Sequence, residues 1–127
     1  LGVAHAVHNQ PGMRFEQLAL HIRAADLVVY PSYYEGKGLI PLEALASGTP
    51  VVTVNQPPLT EMIDDEVGGL FTCGDPEDLA RAVNHSLHHP EERVKQMEKG
   101  RQRVLDRFTY EHNAAAYEAI YAALLDE

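Results

Sequence analysis

Short apolar blocks alternate along this chain with segments whose apolar residues recur every three or four positions. Leu27-Val28-Val29-Tyr30 and Val51-Val52-Thr53-Val54 are the clearest blocks; each is β-rich, each is flanked by a proline, and both predict buried strands. Val3 to Val7 alternates loosely and predicts a short strand before them, and Leu70-Phe71-Thr72, opened by Gly68-Gly69, predicts another after them. Helical spacing runs from Phe15 to Ala25, with Leu18, Ala19, Ile22 and Ala25 on one face. His8-Asn9-Gln10-Pro11-Gly12 and Asn55-Gln56-Pro57-Pro58 read as loops. A short helix of about residues 39–47 follows the first strong block. Pro41 fits only near its first turn, and Gly48 closes it. Glu61 to Asp65 predicts one helical turn. Asp75-Pro76-Glu77-Asp78 is a helix start: a capping Asp, Pro at the first helical position, acids in the first turn. Leu79, Ala80, Val83 and Leu87 line that helix, and Pro90 divides it from a helix striped by Val94, Met97, Val104, Leu105 and Phe108. Thr109 caps a last helix, with Tyr117, Ile120, Tyr121 and Leu124 on one face.

The order β-α-β-α-β-turn-β-α-α-α predicts an α/β, Rossmann-like, doubly wound and mostly parallel sheet with a helical C-terminal tail. Three or four strands are few for such a sheet on its own, so the expectation is a partial half-domain of something longer. The start, Leu1-Gly2-Val3-Ala4-His5, has neither an initiator methionine nor a signal-peptide pattern and reads as a cut end. Composition agrees with one globular domain: 127 residues, 45% hydrophobic and 23% charged, enough to bury a core. The formal net charge of -9, from 19 acidic and 10 basic residues, argues against nucleic acid as a partner and offers no basic patch to anionic lipid. A lone cysteine, Cys73, excludes an internal disulfide framework and suits a reducing, cytoplasmic compartment. No apolar run approaches the length of a membrane-spanning helix.

Candidate chemistry concentrates between the first strong strand and the short helix: Glu35-Gly36-Lys37-Gly38-Leu39-Ile40-Pro41-Leu42-Glu43. In open α/β sheets the carboxyl edge is where ligands bind. A helix N-terminus reached through glycines suits a phosphate, because free N–H groups and the helix dipole both favour an anion. Glu35 lies in the loop and Glu43 about one turn into the helix, so two carboxylates flank a row of donors at Gly38, Leu39 and Ile40. Ionised carboxylates only accept hydrogen bonds, which suits hydroxyl-rich ligands. A nucleoside-diphosphate sugar has the matching order of ribose, diphosphate and hexose. Taken alone, the pattern is more often just a glycine-bearing turn with two solvated acids, since paired glutamates and a Gly-x-Gly recur by chance.

The flanks add specificity. Ala25-Asp26-Leu27-Val28-Val29-Tyr30-Pro31-Ser32, Glu35-Gly36-Lys37-Gly38-Leu39, Leu42-Glu43-Ala44-Leu45-Ala46-Ser47-Gly48-Thr49-Pro50-Val51-Val52, Glu61, Gly68-Gly69-Leu70-Phe71 and Asp75-Pro76-Glu77-Asp78-Leu79-Ala80 stand in the order and spacing of one family. From roughly residue 20 onward the chain resembles the retaining glycosyltransferases of family four, the group 1 glycosyltransferases of the GT-B fold, with Glu35 to Glu43 as their E-x7-E motif. The resemblance implies the C-terminal part of a GT-B fold and a donor that is a UDP-, GDP- or ADP-sugar. Glu35 is then the catalytic candidate, contacting hydroxyls of the donor hexose and positioning it rather than standing as a proven nucleophile. Gly36, Lys37 and the backbone of Gly38, Leu39 and Ile40 would line the diphosphate and sugar, Glu43 would bind the ribose hydroxyls, and Ser32 would face the nucleotide or cap the strand end. Lys37 replaces a frequent aromatic; it meets the phosphate or points to water. No cofactor and no metal are implied.

In the family the acceptor sits mostly on an N-terminal domain, and basic residues on earlier strands face the diphosphate. Neither has a counterpart here, so the expectation is a donor-binding piece, inactive alone, with an unidentified sugar or lipid-linked acceptor. The alternatives are a non-catalytic nucleotide-sugar-binding module and a GT-B nucleotide-sugar epimerase; the glutamate pattern suits the transferases better.

Other residues are less telling. His85, His88 and His89 sit at a polar helix end, where exposure is the expectation rather than converging metal ligands. His5, His8 and His21 have no ligand spacing, and Cys73 reads as a small buried residue. Glu61 either belongs to the site or ties down the Pro57-Pro58 loop through backbone N–H groups. The apolar face of the last helix, if uncovered, predicts self-association.

Overall fold

A computed structural model describes residues 2–125; the apparent cut end at Leu1 lies outside the described residues. A 3-10 turn at Ala4–Ala6 is followed by α1 (Phe15–Ala24), β1 (Val28–Tyr30), α2 (Leu39–Ser47) and β2 (Val51–Val54). A second 3-10 turn at Leu59–Glu61 leads to β3 (Gly69–Phe71), then α3 (Pro76–His88), α4 (Pro90–Arg107) and α5 (Tyr110–Leu125). The strands pair in the order β1-β2-β3, both pairs parallel, with Val28 opposite Val51 and Val52 opposite Gly69. All three carboxyl ends therefore emerge on one edge, and the turn from β1 to α2 lies on that edge.

The core forms where the central strand meets its covering elements. All four residues of β2 are buried. Ala44 and Leu45 of α2, Phe71 of β3 and Ala82 of α3 close around it. Leu59, Met62, Ile63 and Val67, from the connection between β2 and β3, are also fully buried. In that connection the expected turn at Glu61 to Asp65 forms two residues earlier. Burying four side chains of this size contributes roughly 1.5–3 kcal/mol each, so an irregular connection carries much of the core.

Capping follows the sequence closely. Asp75 Oδ1 accepts from the Asp78 N–H at 2.9 Å and Pro76 opens α3. Gly48 adopts the left-handed conformation at the end of α2. Thr109 Oγ1 accepts from the His112 N–H at the start of α5.

Four expectations are corrected. Val3 to Val7 is not a strand: Ala4–Ala6 is a 3-10 turn and every residue there is exposed, because the sheet offers it no neighbouring strand. β1 is not fully buried, since it is an edge strand and Val29 is 39% exposed. On α3 the inward face is Leu79, Ala82, Val83 and Ser86, while Ala80 and Leu87 are exposed. On α4 Val94 and Leu105 are exposed, and Gln96 and Gly100 take the buried positions. Polar and small residues are chosen there because α4 lies against loop backbone and against α2. Gln96 Nε2 donates to the Asp65 and Gly68 carbonyls at 3.1 and 3.3 Å. A Cβ on Gly100 would stand 2.7 Å from Leu45 Cδ2.

Candidate functional site

β1 ends at Tyr30 and the chain runs through residues 31–38 into α2. Gly38 is the hinge of this turn. It is buried, it precedes the first helical residue, and its φ of 85° with ψ of 65° is a left-handed conformation that disfavours any side chain. A Cβ there would meet Leu59 Cδ2 at 2.5 Å. No side chain caps α2. Among the described residues no acceptor takes the N–H of Leu39 or Ile40. Pro41, at the third helical position, has no N–H to satisfy. The helix thus presents two free backbone donors, with its dipole, at the carboxyl edge of the sheet.

The loop before them is tied to the sheet. Ser32 Oγ donates to the Tyr34 carbonyl at 3.0 Å, so Ser32 turns the backbone. Gln56 Nε2 donates to the Tyr33 carbonyl at 3.0 Å. Glu35 is half-buried, and its Oε1 accepts a hydrogen bond from the Tyr30 hydroxyl. That hydrogen bond, then burial, then the charge of Glu35, holds the Tyr30 phenol above its ordinary range. Glu43 is half-buried in the second turn of α2, flanked by the buried Ala44 and Leu45.

Lys37 is exposed and leans over Phe108. Its Nζ lies 5.4 Å from the centre of the Phe108 ring, and the Arg107 guanidinium lies at the same distance from that ring, a cation–π arrangement in each case. Lys37, Leu39 and Leu42 line one side of an open hollow of about 460 Å³; Arg107, Phe108 and the start of α5 line the other. A second hollow, of about 280 Å³, opens at the strand ends between Pro31, Tyr33, Val54 and Phe71. Cys73 lines it and is half-buried rather than buried, because it follows β3 at the sheet edge.

The expected residues therefore divide. Ser32, Glu35, Gly36, Lys37, Gly38, Leu39, Ile40 and Glu43 all fall on one turn-helix unit at the carboxyl edge. Lys37 is drawn to the joint of α4 and α5. Glu61 is exposed, and no described residue hydrogen-bonds its carboxylate, so it does not tie down the Pro57-Pro58 loop. His85, His88 and His89 lie exposed at the far end of α3. There His85 Nε2 is 3.0 Å from Glu92 Oε2, and the His88 and His89 rings bond backbone carbonyls. Among the described residues no three His, Cys, Asp or Glu side chains converge as metal ligands, and no helix is long and apolar enough to cross a membrane. Tyr30, which bonds Glu35, and Phe108, which lies under Lys37, were not legible as partners of this turn. Both look like core aromatics in an apolar pattern, and nothing in the spacing shows which side chain each will meet.

Known proteins resemble this chain in sequence and in fold. The profile of the family "Glycosyl transferases group 1" matches residues 1–103. The MMP alpha-(1->4)-mannosyltransferase of Mycolicibacterium hassiacum is 34% identical over 123 residues, 95% of this chain and 30% of that protein. The D-inositol 3-phosphate glycosyltransferase of Geodermatophilus obscurus is 37% identical over 128 residues, all of this chain and 28% of that protein. The chain thus spans less than a third of the length of these relatives. The solved sucrose-phosphate synthase of Thermosynechococcus elongatus superposes with a TM-score of 0.88 at 33% identity, over 98% of this chain and 31% of that one. The solved neighbours are GT-B glycosyltransferases, and the parallel sheet with its C-terminal helix matches part of one half of that fold. On the profile, the relatives and the fold together, this chain belongs to the group 1 glycosyl transferases.

Proposed function

We propose that the chain is the donor-binding part of a retaining glycosyltransferase that moves a hexosyl group from a nucleoside-diphosphate sugar to an acceptor. The observation that carries this reading is the start of α2. Its free Leu39 and Ile40 amides suit a diphosphate, and Glu35 and Glu43 on either side suit the hydroxyls of a hexose and a ribose. In such a reaction the protein positions the donor and stabilises the departing nucleoside diphosphate. The amides at the head of α2 would do the second, since they act where negative charge grows as the sugar leaves. Glu35 would do the first by accepting from the sugar hydroxyls. The donor is a UDP-, GDP- or ADP-sugar, and neither a cofactor nor a metal takes part. A reducing cytoplasm, where a lone Cys73 stays free, is the compartment this reading favours.

The acceptor, a sugar or a lipid-linked sugar, would be held mostly by a second, N-terminal domain, and this chain alone would bind donor without turning it over. Titration calorimetry with UDP-, GDP- and ADP-sugars tests the reading. One of them binds the chain, and Glu43→Ala weakens that binding at least tenfold, as expected for a lost hydrogen bond to a charged group. Binding unaffected by Glu43→Ala would refute the placement of the ribose. Sugar transfer by the purified chain would refute the division of labour.

A further inference from the structure

Tyr30 is the last residue of β1, and its backbone is locked to the central strand. It stands opposite Thr53, whose hydroxyl donates to the Tyr30 carbonyl at 3.0 Å. Thr53 is fully buried, so this anchor is rigid. Five residues further on, Glu35 Oε1 accepts from the Tyr30 hydroxyl. The intervening loop is held through its backbone, by Ser32 at Tyr34 and by Gln56 at Tyr33. Those two bonds fix where the loop runs but not where the Glu35 carboxylate points. Among the described residues Tyr30 is the one side chain that bonds that carboxylate.

A loop glutamate has three side-chain torsions to order before it can serve as an aimed acceptor, and ordering them opposes binding. A hydrogen bond from a half-buried phenol orders them in advance. It occupies Oε1 and leaves Oε2 as the acceptor for a ligand hydroxyl. The phenol keeps its proton at neutral pH, as an ordinary tyrosine does, and that same bond shifts its titration further upward. Phenylalanine at this position would fill the same space and aim nothing.

We infer that Tyr30 is a positioning residue of the donor site, whose hydroxyl aims the Glu35 carboxylate at the hydroxyl groups of the donor's sugar. The inference rests on the donor-site reading of Glu35. It separates the two halves of the donor: Tyr30 acts on the sugar, while the head of α2 and Glu43 act on the nucleoside diphosphate.

The test is calorimetric titration of the whole chain with UDP-glucose, GDP-mannose and ADP-glucose, each beside its own nucleoside diphosphate. Tyr30→Phe weakens the sugar nucleotide that binds by about five- to tenfold and leaves its nucleoside diphosphate within about twofold. In a Glu35→Gln background the same substitution has no further effect. Equal loss of both ligands, or loss of neither, overturns the inference. A second measurement does not depend on the folding of Tyr30→Phe: carbon-13 NMR of the tyrosine ring carbons through an alkaline titration. Glu35→Gln lowers the Tyr30 midpoint, and an unchanged midpoint, where the unmodified chain binds donor, overturns this inference alone. Failure of the unmodified chain to bind any of the sugar nucleotides overturns the donor-site reading and the inference with it.

Discussion

Ser86 buries a hydroxyl that no described residue hydrogen-bonds. Leaving a buried polar group unpaired costs about 1–3 kcal/mol, whereas an apolar group of similar shape costs nothing there. Ser86→Ala is therefore expected to raise the thermal midpoint by a few degrees, and a fall on calorimetric unfolding would show that the hydroxyl has a partner in solution. Arg103 is the opposite case. It is 16% exposed and holds three acceptors: Asp64 at 2.9 Å, the Met62 carbonyl at 3.2 Å and Glu66 at 3.6 Å. Burial alone would raise the Asp64 pKa; the Arg103 hydrogen bond and charge, with the N–H groups of Glu66 and Asp64, outweigh it and hold the group below its ordinary value. A lowered carboxylate pKa contributes stability above the unfolded value, near 4, and loses it as pH falls through the folded value. Asp64→Asn should thus flatten the acid limb of a stability–pH profile and change little at neutral pH, because a half-exposed pair contributes under about 1 kcal/mol. Tyr30 has the other sign: its raised pKa favours the fold below about 10, and that contribution fades as pH climbs through the folded value. None of these contacts was legible in the sequence. Glu35 and Glu43 stand out as candidates because their spacing and flanks carry a family pattern. Tyr30, Arg103 and Ser86 do not, because their partners are set by how the loops between elements run.

Element by element, the parts with strong local chemistry were legible. α2 has the bounds that Pro41 and Gly48 suggest, and α3 starts where Asp75-Pro76 says it does. Helix faces were less legible, since periodicity marks apolar residues and the packing surface need not be apolar. α4 shows why. Its buried Gln96 serves carbonyls of the β2–β3 connection, and its Gly100 lets it approach α2. Gly100→Ala is the test of that approach. Helix propensity alone predicts a gain of about 1 kcal/mol. The new Cβ, however, meets Leu45 Cδ2 at 2.7 Å, and Leu45 is 1% exposed with little room to move. Overpacking of this kind costs about 1–3 kcal/mol, so net destabilisation is expected in denaturant unfolding. A gain in stability would mean that α2 and α4 are not in close contact. The false strand at Val3 to Val7 has a related cause: alternation specifies a strand only where a neighbour exists to pair with it.

On the scale of the whole molecule, the sheet brings one turn-helix unit to its carboxyl edge, and α5 leaves the core behind. Every described residue of α5 is exposed, including Tyr117, Ile120, Tyr121 and Leu124. An apolar face of this kind invites association, so light scattering at rising concentration is expected to show an increasing average mass; a constant monomer mass would contradict it. The central claim concerns the head of α2, and it is tested most directly by the amide spectrum. Nitrogen-15 NMR of the chain titrated with a nucleoside-diphosphate sugar should shift the Leu39 and Ile40 amides strongly, as their free N–H groups take phosphate oxygens, with smaller changes through Glu35 and Glu43. Titration that leaves Leu39 and Ile40 unmoved, or moves only residues at the opposite edge of the sheet, would contradict the account.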